Sequence, residues 1–136
     1  MASALYPLYK QSCLSQNPSV DLDSDTIKAR LVNIYTDYSY SAAHQYVSSV
    51  TKYSGTTDQT LSNKTVALGV FDNTADLTFS SVAVDGTKTA DAIVVYKDTG
   101  NEATSPVVCY LEFASSVTPN GGDIVVAFNA SGLFAL

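Results

Sequence analysis

The chain has few of the residues on which the commonest functional sites depend. Its 136 residues include one histidine, two cysteines and only seven lysines and arginines, against thirteen acidic residues, which gives a formal net charge of −6. Because the bases are few and scattered, they could not neutralise a phosphate backbone, and nucleic-acid binding is disfavoured. No stretch approaches the roughly 18 apolar residues of a membrane span, and the start lacks the basic head of an export signal. We therefore expect neither a membrane anchor nor secretion.

The cysteines and the histidine predict little chemistry. Cys13 and Cys109 lie far apart and outside CxxC spacing, so we expect two reduced, mostly buried thiols rather than a zinc knuckle or a disulfide framework. His44 would have to be the base of any nucleophilic triad, and no GxSxG elbow accompanies it. The glycine-containing loops lack the spacing and the lysine of a phosphate-binding loop. The sequence predicts no enzyme, no cofactor and no metal site.

Three aspartates at alternate positions are the most suggestive local motif. Asp21, Asp23 and Asp25 match positions one, three and five of an EF-hand loop, but Thr26 replaces its glycine and Val32 its glutamate. An EF-hand is therefore excluded. A calcium site of another kind stays open, but we favour a turn in which the aspartates accept hydrogen bonds from backbone N–H groups before a strand begins.

The hydrophobic pattern predicts a mainly β protein. The length and the 46% hydrophobic content suit one domain over residues 1–136 with a single core. Six or so short strands are separated by turns, and only two short helices interrupt them. The expected architecture is an antiparallel β-sandwich or a barrel-like fold.

Individual elements follow from the spacing of apolar residues. We predict an N-terminal helix at about 7–15 and a second short helix at about 42–51. The nearly continuous apolar runs at 91–100 and 105–113 should be the central strands, covered on both faces. The run at 65–71 is predicted as one further strand.

The first strand is expected to begin near Thr26. Alternation places Ile27, Ala29 and Leu31 on one face, and Lys28 and Arg30 on the other. The apolar segment at the C-terminus is expected to be buried, and the sequence leaves open whether it packs in the protein's own core or against a partner.

Four of the nine tyrosines lie close together in the sequence, at Tyr35, Tyr38, Tyr40 and Tyr46. Tyrosine is enriched in contact surfaces because it joins a large apolar face to a hydroxyl. One hypothesis is a partner interface, in which Tyr38 and Tyr40 are partly exposed in the isolated chain. The alternative is that the tyrosines pack the second predicted helix onto the sheet.

Several segments resemble, in the same order, a family of small structural proteins of tailed bacteriophages. They are the opening ALYPLYK, then VDLDSDTIKARLVN, AIVVYKDTG, SPVVCYLEF and the closing FNASGLFAL. The likeness covers most of the chain, whereas the middle segment TKYSGTTDQTLSN departs from it.

This resemblance implies a virion protein, most similar to head decoration or cement proteins. Such a protein would bind the outer surface of the assembled head and stabilise it by bridging major capsid subunits. The implied partners are the phage major capsid protein and further copies of the chain, as a dimer or trimer. The implied location is the head surface, after assembly in the host cytoplasm. A tail, neck or fibre-associated role is the alternative.

Overall fold

A computed structural model describes residues 3–15 and 20–135 of the chain, and this part is mainly β. From the N-terminus, its elements are β1 (Ala4–Leu5), α1 (Pro7–Leu14), β2 (Ile27–Val32), β3 (Gln59–Thr60), β4 (Lys64–Ala67), β5 (Val70–Asn73), β6 (Leu77–Phe79), β7 (Ala90–Lys97), β8 (Val107–Val117), β9 (Ile124–Val126) and β10 (Phe134–Ala135). Short 3₁₀ turns occur at Val47–Ser49 and Glu102–Thr104. No helix in this part of the chain is long and apolar enough to span a membrane.

The strands form three antiparallel sheets. One has the order β1-β8-β7-β2-β3, the second β10-β5-β4, and the third pairs β6 with β9. The mainly β, antiparallel prediction is confirmed, while the sandwich or barrel arrangement stays a prediction. The predicted N-terminal helix is also confirmed and ends at Leu14, whereas the predicted break after it falls at residues 16–19, outside the described residues.

The two central strands are β7 and β8, as their apolar runs predict. Ala90 to Tyr96 are all buried, and so are Val107 to Tyr110. Within the ladder, Val95 lies opposite Cys109, and neither side chain is reached by solvent to any extent. Burial on both faces explains why these runs carry no polar alternation. Leu111 is only half-buried because β8 leaves the core at this point.

The prediction of a second helix at 42–51 is wrong. This segment is a chain of turns that contains one 3₁₀ turn, and Tyr46 forms an isolated bridge with Pro106. Its backbone bonds to distant elements: Val47 N–H donates to the Ser105 carbonyl (2.9 Å), and the Gln45 carbonyl accepts from Val107 N–H (3.0 Å). In a helix these groups would form i to i+4 hydrogen bonds. They bond to distant residues instead, so tertiary contacts determine the conformation here and not the weak helical spacing of apolar residues.

The prediction of a single strand at 65–71 is also wrong. The segment is a hairpin in which β4 and β5 pair, with Ala67 opposite Val70 and a two-residue turn at Leu68 and Gly69. Both turn residues have positive φ, at 52° for Leu68 and 79° for Gly69. A two-residue hairpin turn with positive φ at both positions matches the twist of the flanking strands. The alternation of apolar residues continues through the turn and conceals it.

The apolar C-terminal segment packs against this hairpin. β10 pairs with β5, with Phe134 opposite Phe71 and their ring centroids 5.6 Å apart. Leu133 N–H donates to the Phe71 carbonyl at 2.7 Å. The described part of the segment is therefore tied to the protein's own fold.

Candidate interaction surface

The aspartates form the predicted turn at the entrance to β2. One Asp21 carboxylate oxygen accepts from the N–H groups of Asp23 (3.1 Å) and Ser24 (3.3 Å), and Asp25 accepts from Asp21 N–H (2.7 Å). The hydrogen bonds from Ser24 and Asp23 hold the pKa of Asp21 below its ordinary value. The described residues contain no group of three or more metal-ligating side chains placed to hold an ion. The turn hypothesis is confirmed by these bonds.

The four tyrosines of the predicted interface do not form one surface. Tyr35 is 72% exposed, whereas Tyr38 is buried at 4%. Tyr40 and Tyr46 are half-buried, and Tyr46 lies apart from the others beside Pro106. The expectation that Tyr38 is partly exposed is therefore wrong, and the expectation for Tyr40 is right. Of the four, only Tyr35 presents most of its side chain to solvent.

Tyr38 lies at the centre of a hydrogen-bonded aromatic cluster. Its hydroxyl contacts the Tyr6 hydroxyl at 2.5 Å and His44 Nδ1 at 2.8 Å. The Tyr40 ring lies between those of Tyr6 and Tyr110, at centroid distances of 5.0 and 5.6 Å. The cluster joins the chain before α1 to β8 and to the loop after β2. Here the packing hypothesis accounts for Tyr38, although the element that it packs is a loop rather than a helix.

The cluster predicts how stability depends on alkaline pH. Burial raises the pKa of Tyr6, Tyr38 and Tyr110 above an ordinary value of about 10, and that of Cys109 above about 8.5. When the pKa of a group is higher in the folded chain than in the unfolded chain, the group stabilises the fold fully at pH values below its unfolded pKa. This stabilisation is lost as the pH rises from the unfolded pKa towards the folded pKa. We expect the melting temperature to fall steadily above about pH 9. Thermal melts at successive pH values check this expectation, and full ionisation of all nine tyrosines with an intact circular dichroism spectrum would contradict it.

A buried arginine, which the sequence pattern does not reveal, holds three distant segments together. Arg30 is 5% exposed and makes a bidentate pair with Asp58, in which Nε donates to Oδ1 at 3.2 Å and Nη2 donates to Oδ2 at 2.8 Å. Its Nη1 donates to Glu102 and to the Val50 carbonyl, both at 2.8 Å. Tyr96 donates its hydroxyl to Asp58 at 2.6 Å. Burial by itself would lower the pKa of the Arg30 guanidinium. The hydrogen bonds to Asp58 and Glu102 raise this pKa by more, so the net shift is upward. The arrangement ties β2 to the segments that carry Val50, Asp58 and Glu102.

The turn of the β4–β5 hairpin, Val66 to Gly69, which we call the hairpin tip, is the most exposed apolar feature among residues 3–15 and 20–135. Leu68 is fully exposed and Val66 is 49% exposed. Beside the tip lies a groove of about 340 Å³, whose lining includes Val66, Gly69, Phe71 and Cys13. Leu14, the residue after Cys13, is also almost fully exposed. An apolar tip next to an apolar groove has the chemistry of a protein-binding surface.

Comparisons of the chain with protein-family models, with curated proteins and with solved structures give no match.

The sequence pattern offers the tyrosine loop as one candidate interface and does not reveal the exposed hairpin tip. The one available signal was Gly69, which follows Leu68 in TVALGVF and can adopt positive φ at no steric cost. A turn at Leu68 and Gly69 converts an apparently buried strand into two strands joined by an exposed leucine.

Proposed function

We propose that this protein decorates the head of a tailed bacteriophage. It binds the outer surface of the assembled capsid through the hairpin tip and stabilises the capsid by bridging major capsid subunits. The observation that carries the proposal is Leu68, which is fully exposed while its backbone has a φ of 52°.

Leu68 lowers the stability of the isolated chain, and its side chain contributes none in return. The left-handed backbone region costs a residue other than glycine roughly 1–2 kcal/mol, and the exposed side chain gains no burial within the described fold. Strained residues cluster where a ligand or partner is held. Insertion of the leucine into an apolar pocket on a capsid subunit would recover burial energy that the monomer cannot obtain.

The outer edge of β4 offers backbone groups beside the tip. Because a two-residue turn closes on a hydrogen-bonded pair, Ala67 and Thr65 direct their N–H and C=O groups to β5, and those of Val66 and Lys64 point away. Lys64 also donates its ammonium to the Asp25 carbonyl, which fixes its position. A capsid segment can therefore pair with this edge as an additional strand, while the Leu68 side chain inserts into an apolar pocket on the same subunit. Repetition over a regular lattice increases the total avidity.

The decisive variant is Leu68→Asn. Asparagine tolerates positive φ, so we expect the free energy of unfolding to stay the same or rise by up to about 1 kcal/mol. We expect binding to undecorated heads to weaken at least tenfold, because a buried apolar anchor is lost. Melting temperature and cosedimentation with purified heads measure the two effects separately.

Ser81→Asn is the matched control. Ser81 is exposed and also has positive φ, at 50°, but it carries no apolar side chain. This variant relieves the same kind of strain, and head binding should not change. If Leu68→Asn bound heads as well as the unchanged protein, the hairpin tip would not be the capsid contact.

Copy number distinguishes head from tail. Mass spectrometry of purified virions should find the protein in high copy if it decorates the head. A low copy number would favour the tail, neck or fibre-associated role, and absence from virions would contradict both.

A further inference from the structure

A second apolar groove lies on a different part of the surface. Its volume is about 420 Å³, and it lies between the end of β8, strand β9 and the segment that precedes β10. Leu111, Phe113, Val126 and Phe128 line it and are only half-buried. At its edge, Val125 is 57% exposed. The described fold therefore leaves apolar side chains of several elements partly open to water.

The sequence that builds this groove is nearly free of charge. From residue 113 to the C-terminus the only charged side chain is Asp123, whereas the first 112 residues hold all seven bases and twelve of the thirteen acids. Asp123 accepts a hydrogen bond from Ser81 N–H at 2.9 Å, and Glu112, the one charged residue among the described lining residues, accepts from the Tyr110 hydroxyl at 3.1 Å. Depletion of charge distinguishes interface cores from the rest of a protein surface.

The end of β8 also offers unpaired backbone. The β7–β8 register passes from Ala92 opposite Glu112 to Ala90 opposite Val117, so it skips the four residues Phe113 to Ser116. On the other side of β8, β1 pairs with Tyr110 and Cys109 alone. Among the described strands, none is in register with Phe113 to Ser116.

We propose that this face binds a second copy of the chain. Around a two-fold axis, the segments Phe113 to Val117 of two copies run antiparallel, so that Phe113 of one copy lies beside Val117 of the other. The contact covers the groove and the exposed side chain of Val125. The segment FASSV contains no charge, so antiparallel pairing places no like charges opposite each other.

The distribution of charge favours another copy as the occupant. Each chain carries a net charge of −6, and two copies repel each other least where charged side chains are sparse. A basic partner protein would instead be attracted to acidic surface, and both nearby carboxylates already accept hydrogen bonds. The interaction goes beyond the proposed function, since it requires no capsid.

Sedimentation equilibrium of the full chain tests this contact. We expect a species of twice the 14.4 kDa chain mass at concentrations up to about 1 mM, the scale of a weak specific complex. Val125→Asp should raise the dimer dissociation constant at least tenfold, because it places an unpaired carboxylate in an apolar interface. The high exposure of Val125 in the single chain means that its melting temperature as a monomer should change little.

Two controls separate this contact from others. Val84→Asp changes an equally exposed valine in the loop between β6 and β7 and should leave the dimer intact. Leu68→Asn should also remain dimeric, so that loss of head binding and loss of self-association are distinguishable. A monomeric unchanged protein, a trimer, or a Val125→Asp variant that dimerises normally would overturn the proposal. The proposal would also be overturned if residues 113–117 were protected from hydrogen exchange when the protein is bound to phage heads but not when it is free in solution.

Discussion

Replacement of Arg30 by methionine is expected to lower the free energy of unfolding by about 3 to 5 kcal/mol, a large part of the stability of a small protein. Methionine keeps the apolar stem but removes the guanidinium, so Asp58 loses its bidentate partner while its side chain stays only 12% exposed. The Tyr96 hydroxyl would then be its one remaining side-chain donor among the contacts described. An uncompensated buried carboxylate is among the most destabilising changes that a single substitution can cause.

Urea denaturation measures this loss, and Lys88→Met is the matched control. Lys88 also pairs with two aspartates, Asp37 and Asp85, but its own side chain is 32% exposed, against 6% for that of Arg30. Its removal should cost much less than the loss of Arg30, because solvent reaches the ammonium and screens both of its ion pairs. Adding Asp58→Leu to Arg30→Met should restore much of the stability, since no buried charge then lacks a partner. If the Arg30 and Lys88 variants lost the same free energy of unfolding, burial would not account for the stability that Arg30 contributes.

Tyr38→Ser is expected to destabilise the protein by about 3 to 5 kcal/mol, the range for truncation of a buried aromatic side chain. The change removes the ring that packs against Tyr110 and His44, and it takes from Tyr6 its hydroxyl partner in a fully buried site. Tyr38→Phe, which removes the hydroxyl alone, should cost about 1 to 3 kcal/mol because the Tyr6 hydroxyl is left unsatisfied.

Tyr35→Ser provides the comparison within the same loop. Tyr35 is largely exposed, so its replacement should change the free energy of unfolding by no more than about 0.5 kcal/mol. Thermal melts of the Tyr35 and Tyr38 variants test the contrast directly. If Tyr38→Ser melted like Tyr35→Ser, the aromatic cluster would contribute nothing to folding, and a surface role for Tyr38 would have to be considered again.

Local patterns in the sequence determined the fold class and several elements. The unbroken apolar runs identify β7 and β8, because strands covered on both faces contain no polar alternation. The helix that begins at Pro7 follows from a residue suited to a first helical turn. The turn at Asp21 to Asp25 follows from short carboxylates that bond to backbone groups two to four residues away. In each case the partners are close in sequence, or the signal is burial itself.

Tertiary structure alone decided the rest. Alternation placed Arg30 on the opposite face of β2 from Ile27, but its burial depends on Asp58 and Glu102, which lie 28 and 72 positions away. Tyr38 is buried because Tyr6 meets it from 32 positions away. The segment at 42–51 is not helical because its backbone groups bond to residues 105 and 107. Such partners are specified by the path of the whole chain, so no window of neighbouring residues contains the information that selects them.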